Sequence, residues 1–367
     1  MKGRPLRVCL VGPLPPPDGG MANQTRQLAG LLRGEGFRVD VVQTNAAYRP
    51  AWIGRVRIAR AVFRLLPYVA RLWSGLRDAD LVHLMANSGW SWFLFALPAV
   101  AVARLRGVAL IVNYRGGEAE SFLARSAWAV RPAARWAAAL VVPSHFLSEV
   151  FGRFGMPATI VPNIIDLARF RPAPAATERQ PHLLVARNLE PIYDNATAIR
   201  AFAIVRGEVP AARLTIAGEG PLRASLEGLA AELGVADAVR FCGRVPNADM
   251  PALYASAQVS VNPSLADNMP ISVLESLASG VPVVSTRVGG VPYLVEHERT
   301  ALLVEPGDAA ALARAVLRLL REPELAERLR AAGLESVRRY DWASVMPKLL
   351  AVYEAAARPA CARAGLA

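Results

Sequence analysis

Two carboxylates stand close together in the C-terminal half of the chain, Asp267 and Glu275, with seven residues between them. The apolar run 259–262 gives way to a short loop holding Ser264, Asp267 and Asn268. Pro270 then suits the opening of a helix, because its missing N–H costs nothing in the first turn. Asp267 would either accept hydrogen bonds from that first turn or leave those N–H groups to face a ligand. Glu275 sits among Val273, Leu274 and Leu277, a setting that calls for a partner. A ribose diol is one such partner, since a carboxylate accepts two O–H bonds at once. The plain alternatives are a helix cap for Asp267 and a solvated helix position for Glu275, and the pair alone does not decide between them.

A second candidate is Gly19-Gly20, between the apolar run 7–12 and a helical stretch at 21–33. A glycine-rich turn at a helix N-terminus lets backbone N–H groups approach an anion, and the helix dipole favours it. The alternative is a loop that needs positive φ. The spacing is not GxGxxG and no acidic residue follows the second strand in the usual place, which argues against a conventional dinucleotide site. His83, His145, His182 and His297 are scattered, as are Cys9, Cys242 and Cys361. They offer neither a disulfide framework nor metal-ligand spacing, so no metal and no cofactor is expected. Cys9 and Cys242 read as buried packing residues, and His83 as a structural histidine at a strand end.

These residues need elements to hold them. Strand-like runs at 7–12, 37–43, 81–85, 108–113 and 140–143 alternate with amphipathic stretches, and the pattern restarts at 182–186, 213–217, 239–242, 258–262 and 281–285. Such alternation predicts an α/β fold with parallel sheets covered on both faces. A chain of 367 residues suits two domains. The Pro- and Ala-rich stretch 171–181 reads as their linker. The expected division is 1–171, then 182–341, with 342–367 as a final helix crossing back to the first domain.

The stretch 259–296 resembles the glycosyltransferase family 4 pattern. It has Asp267 and Glu275, then Ala278-Ser279-Gly280-Val281-Pro282-Val283-Val284, then Gly289-Gly290. The segments 213–226, 239–264, 141–155 and 161–172 resemble the family's neighbouring units in the same order. The resemblance implies the GT-B fold, two Rossmann-like domains with parallel sheets facing across a cleft. It also implies a retaining transfer of a hexose-type sugar from a UDP- or GDP-linked donor. By that likeness Glu275 would hold the ribose. Asp267 and the main chain of Asn268, Met269 and Pro270 would hold the sugar, with Ile271 lining the diphosphate site. Arg244 and Val245 would meet the base through main chain, beyond the Gly218 turn, and Gly19 and Gly20 would close over the phosphates. Asp267, Arg187 and Arg115 form the implied catalytic set. Two departures stand out. Asp267 replaces the family's usual Glu, and Ile192 and Tyr193 occupy the region of a Lys that normally joins Arg187 at the diphosphate. Arg115, before Gly116-Gly117, is the candidate substitute cation; a surface Arg capping a turn is the alternative.

Composition sets the outer bounds. Hydrophobic residues make up 53% and charged residues 20%, with a net charge of +12, which describes a globular chain that prefers anionic partners. No stacking-aromatic or recognition-helix pattern supports nucleic acid. No apolar run reaches the ~20 residues a bilayer span needs. The helical stretch 52–77 carries an apolar stripe (Ile58, Val62, Leu65, Val69, Leu72, Leu76) beside Arg57, Arg60, Arg64 and Arg71. It fits either an anionic membrane surface or a core-facing helix with a solvated basic face. The expected setting is cytoplasmic, peripheral on the inner face of the plasma membrane, with a saccharide or lipid-linked acceptor in cell-surface or exopolysaccharide biosynthesis. The rival readings are a nucleotide-sugar 2-epimerase on the same fold and a non-catalytic GT-B partner subunit.

Overall fold

The computed structural model describes residues 5–16, 19–46, 59–172 and 180–364. The chain divides into two compact units, Met1–Pro162 with Val345–Ala367, and Asn163–Ser344. The first carries β1 (Arg7–Gly12), β2 (Arg38–Gln43), β3 (Leu81–Ala86), β4 (Ala109–Tyr114), β5 (Ala139–Val142) and β6 (Thr159–Ile160). They pair in the order β2-β1-β3-β4-β5-β6, parallel throughout. Every residue of β3 is buried, the mark of a strand covered on both faces. The second unit carries β7 (His182–Val185), β8 (Arg213–Ala217), β9 (Val239–Gly243), β10 (Val259–Asn262), β11 (Val283–Thr286) and β12 (Leu302–Val304). Their order is β12-β11-β10-β7-β8-β9, again parallel. The direction of winding reverses between β1 and β3 in one sheet and between β7 and β10 in the other. At such switch points the carboxyl ends of adjacent strands open a crevice. The short strands β6 and β12 were not expected from the sequence.

The unit boundary falls earlier than residue 171. Ile165 donates its N–H to the Tyr340 carbonyl at 3.0 Å, and Ile165 and Phe170 are buried in a core of the second unit. Most of the stretch read as a linker, 173–179, lies outside the described residues. The last helix, Trp342–Ala364, begins in the second unit and continues in the first. There Val345, Leu349, Val352, Tyr353 and Ala356 are buried.

Tyr353 gives that helix a polar anchor. Its hydroxyl lies 2.7 Å from His83 Nδ1, and the Asn113 amide nitrogen lies 3.0 Å from His83 Nε2. An amide nitrogen only donates, so Nε2 accepts and Nδ1–H donates to Tyr353. Burial, then the nearby Arg115 charge, lowers the His83 pKa to about 3, so the ring is neutral. His83 is a wholly buried structural residue inside β3.

Two expectations need correction. On the helix Ala59–Gly75, Leu72 and Leu76 are buried with Tyr68, and Leu65 and Val69 pack against the same core. That part of the apolar stripe is consumed by the first unit and is not free for a membrane. Ile58 and Arg57 lie outside the described residues, as do the side chains of Arg60 and Val62. Cys242 is only half-buried, because β9 is an edge strand. Among the described residues no helix is long and apolar enough to cross a membrane.

Tyr353→Phe strands the buried His83 donor. The expected cost is about 1–3 kcal/mol of unfolding free energy, read from a urea melt. An unchanged midpoint would contradict the anchor.

Candidate functional site

The second sheet's switch point is filled by a charged network. Arg187 follows β7 and Asn262 ends β10. Arg187 Nε donates to Asn262 Oδ1 at 2.7 Å, and its Nη2 forms an ion pair with the Asp267 carboxylate. Asn262 is itself fixed: its amide donates to Ser285 Oγ at 2.9 Å, and its Oδ1 also accepts from Ser264 Oγ at 3.0 Å. The Tyr193 ring centroid lies 5.1 Å from the guanidinium carbon. Tyr193 closes the 3-10 turn Pro191–Tyr193, which is tied to the Asp267 loop by Leu265 N–H donating to the Ile192 carbonyl at 2.8 Å. The guanidinium is thus bounded by a carboxylate, an amide oxygen and a π face, all suited to a cation.

Two glycines exist here because main chains touch. A Cβ on Gly218 would collide with the Arg187 carbonyl, and one on Gly290 with the Asn268 carbonyl. Gly290 N–H donates to the Asp267 carbonyl at 3.0 Å, so the Gly289-Gly290 turn sets the height of the Asp267 loop.

Asp267 is not a helix cap. The helix runs Ile271–Ala278 with Pro270 before it and no side-chain cap. The Asp267 carboxylate instead accepts the Asn268 N–H at 3.0 Å and pairs with Arg187. Burial raises its pKa, against the lowering effect of Arg187.

Glu275 is not solvated. It is 8% exposed, and the buried Tyr254 hydroxyl donates to Oε2 at 2.9 Å. Burial drives its pKa up to about 7, opposed by the Tyr254 bond and by Arg169 and Arg187. Nearby, Ser272 Oγ is buried without a hydrogen-bond partner. Among the described residues, a buried carboxylate with one hydrogen-bond donor and an unsatisfied hydroxyl thus lie on the same helix, which makes it a candidate for more than packing.

The remaining sequence candidates divide by unit. Asn268 and Met269 are buried, and the Met269 carbonyl already accepts from the Asn163 amide at 2.9 Å. Ile271 opens the helix and packs against the core beside the half-buried Val245. Arg244 is exposed and pairs with Glu219 at 2.9 Å. In the first unit, Gly19 is extended, with φ −171°, so the positive-φ reading fails. An added Cβ there would meet open space. Gly20 begins the helix Gly20–Gly34. Arg115 is no surface cap: burial lowers its pKa to about 10, and its Nε donates to Asn113 Oδ1 at 3.3 Å. It therefore sits in the first unit, while Arg187 and Asp267 belong to the second. Among the described residues no group of three or more His, Cys, Asp or Glu is placed to hold a metal.

Comparison with known proteins places this geometry. Residues 18–169 match Glycosyltransferase Family 4, and residues 168–336 match Glycosyl transferases group 1. A GDP-mannose-dependent alpha-(1-6)-phosphatidylinositol monomannoside mannosyltransferase of Mycobacterium tuberculosis is 30% identical, over 94% of this chain and 97% of the relative. The chain belongs to glycosyltransferase family 4. A glycogen synthase of the same organism is 31% identical over 76% of this chain and 69% of its own. The fold of this glycosyltransferase is GT-B. Anabaena HepE, solved with UDP and glucose, superposes with a TM-score of 0.76 at 17% identity, over 95% of this chain and 99% of its own. Sucrose-phosphate synthase of Thermosynechococcus elongatus gives 0.70 at 21%, over 95% and 98%.

Sequence reading of this glycosyltransferase missed Asn262 and Tyr254 as members of the site. Both signals were weak but present: a polar residue closing an apolar strand, and a buried carboxylate in need of a donor.

Glu275 also sets a pH dependence. The folded carboxyl keeps its proton up to about pH 7, the unfolded one only to about 4.3. The folded state therefore binds more protons in between, and stability falls as pH rises through that window. Glu275→Gln is expected to raise the unfolding free energy at pH 8 by on the order of 3–4 kcal/mol, with the gain vanishing towards pH 4.5. A gain independent of pH, or a loss at pH 8, would contradict it.

Proposed function

We propose that this glycosyltransferase moves a hexose-type sugar from a UDP- or GDP-linked donor to a saccharide or lipid-linked acceptor in cell-surface or exopolysaccharide biosynthesis, with retention at the anomeric carbon. The observation that carries the donor assignment is the pairing of a buried, high-pKa Glu275 with the Arg187–Asp267 network at one switch point. The relatives' names point the same way, to GDP-mannose in one case and to a complex with UDP and glucose in another.

The chemistry assigns roles. Glu275, ionised, accepts both ribose hydroxyls, replacing the water its burial has removed. Arg187 faces the diphosphate. An incoming phosphate competes with Asp267 for the guanidinium, which frees the Asp267 carboxylate to meet the donor sugar. The bond from the anomeric carbon to the phosphate oxygen breaks, and the acceptor hydroxyl oxygen forms the new bond on the same face as its proton passes to the leaving diphosphate oxygen. Negative charge grows on the leaving diphosphate while the sugar takes on oxocarbenium character. The main chain of Asn268, Met269, Pro270 and Ile271 lines the sugar and phosphate side. Arg244 and Val245 lie towards the base. No metal or other cofactor enters this scheme.

Nucleotide release from a panel of UDP- and GDP-sugars, with membrane extract as acceptor, tests the reaction, and NMR of the product reads the anomeric configuration. Acceptor-dependent release with retained configuration is expected; an inverted product would overturn the retaining assignment. Calorimetric titration of UDP and GDP tests the site. Glu275→Gln is expected to weaken the bound nucleotide at least tenfold, and wild-type affinity is expected to fall as pH drops below about 7, where Glu275 becomes protonated. Equal affinity in the variant, or affinity flat from pH 8 to 6, would rule out the ribose role.

A further inference from the structure

Exposed tryptophans are concentrated in the first unit: Trp73, Trp90, Trp128 and Trp136. Those at positions 73 and 136 belong to one continuous strip. It begins on the outer face of the helix Ala59–Gly75. The inner face of that helix is spent on the core, through Tyr68, Leu72 and Leu76. Its outer face nevertheless presents Phe63 at 54% exposure, Leu66 at 65% and Trp73 at 46%. The spacing of three and seven places these three on one side of a helix. A helix apolar on both faces is ordinarily buried on both.

The strip continues onto the neighbouring helices. The Arg106 guanidinium lies 3.9 Å from the Trp73 ring centroid and donates to the Trp73 carbonyl at 2.8 Å. Leu105, beside it, is 75% exposed. Arg104 stacks on Trp136 at 4.2 Å. Arginine and tryptophan are thus laid side by side, held in place, and left open to solvent.

The charge is one-sided. The helices Ala59–Gly75, Leu97–Arg106 and Ala119–Trp136 carry Arg60, Arg64, Arg71, Arg104, Arg106, Arg125, Arg131 and Arg135. Their single carboxylate, Glu120, pairs with Arg153 at 2.8 Å. Asp78 and Asp80, in the loop after the first of these helices, are engaged with Arg7.

We infer that this strip, Phe63, Leu66, Trp73, Leu105 and Trp136 with Arg71, Arg104 and Arg106, seats the first unit on an anionic lipid bilayer. Aromatic rings with adjoining cations suit the headgroup layer, where the ring enters the acyl boundary and the guanidinium meets phosphate. Each basic residue near an anionic surface adds to the attraction, which salt screens. This is a different face from the stripe read in the sequence, which the core occupies. A protein partner would complement apolar area with few charges at its centre; here cations interleave the rings.

Co-sedimentation of the full chain with vesicles tests it, using phosphatidylcholine alone and phosphatidylcholine with one third phosphatidylglycerol. The chain is expected to bind the anionic vesicles, to bind neutral vesicles at least tenfold more weakly, and to release as salt is raised. The triple variant Phe63→Ser, Leu66→Ser, Trp73→Ser is expected to lose at least tenfold in anionic-vesicle binding. Its UDP or GDP affinity should match wild type, which shows that it folds. Arg71→Glu with Arg104→Glu, which leaves the apolar residues in place, is expected to show the same loss. Absence of wild-type binding to anionic vesicles would overturn the inference, as would equal binding by both variants. So would a concentration-dependent dimer that the triple variant abolishes while vesicle binding persists, since that would assign the strip to a second copy of the chain.

Discussion

The second unit is organised around one largely buried cation. Arg187 leaves β7 at the switch point, and its guanidinium cannot remain there unless oxygen atoms surround it. Asp267 and Asn262 supply them, Tyr193 covers a face, and each supplier is fixed by a further contact. Asn262 is held by Ser264 and Ser285. The Asp267 loop is held by the Gly290 N–H and by Leu265 bonding to the Ile192 turn. The glycines at 218 and 290 follow from the same requirement, since a side chain at either would push apart the main chains that bring Arg187 and Asp267 together. Removing one partner of such a pair leaves an uncompensated buried charge, which is why the network holds as a unit.

Glu275 shows the opposite balance. Among the described residues no cation pairs with its carboxylate directly, and Tyr254 gives it one hydrogen bond, so burial prevails and the proton is held to about pH 7. A fold selected only for stability would place Leu or Gln at this position. Burial of the carboxylate reduces stability at neutral pH, and the proposed ribose hydroxyls would offset that reduction. On the proposed ribose role, donor binding and fold stability are coupled through this one side chain.

Much of the architecture was legible in the sequence, for physical reasons. Strands buried on both faces appear as apolar runs, so ten of the strands were visible, while β6 and β12, two and three residues long, were too short to show a pattern. The motif from Asp267 to Gly290 was legible in part because Asp267 and Gly290 answer to main-chain contacts that few other residues satisfy. Partners distant in sequence were not legible. Tyr254 meets Glu275 across 21 positions and Tyr353 meets His83 across 270, and neither spacing carries a periodic signal. The setting of the basic helix was left open for a related reason. Periodicity shows that a helix has an apolar stripe but not which neighbour takes it, and here the core takes the regular stripe while Phe63, Leu66 and Trp73 remain outside.

We propose that the Arg187–Asp267 network at the β7–β10 switch point is the diphosphate site of this glycosyltransferase. The most direct test is titration of UDP and GDP into the double variant Arg187→Met, Asp267→Asn, which removes both charges together and leaves neither one buried alone. Loss of at least 30-fold in affinity for whichever nucleotide the wild type binds, with an unchanged circular dichroism spectrum, is the expected result. Wild-type affinity in the double variant would contradict the account.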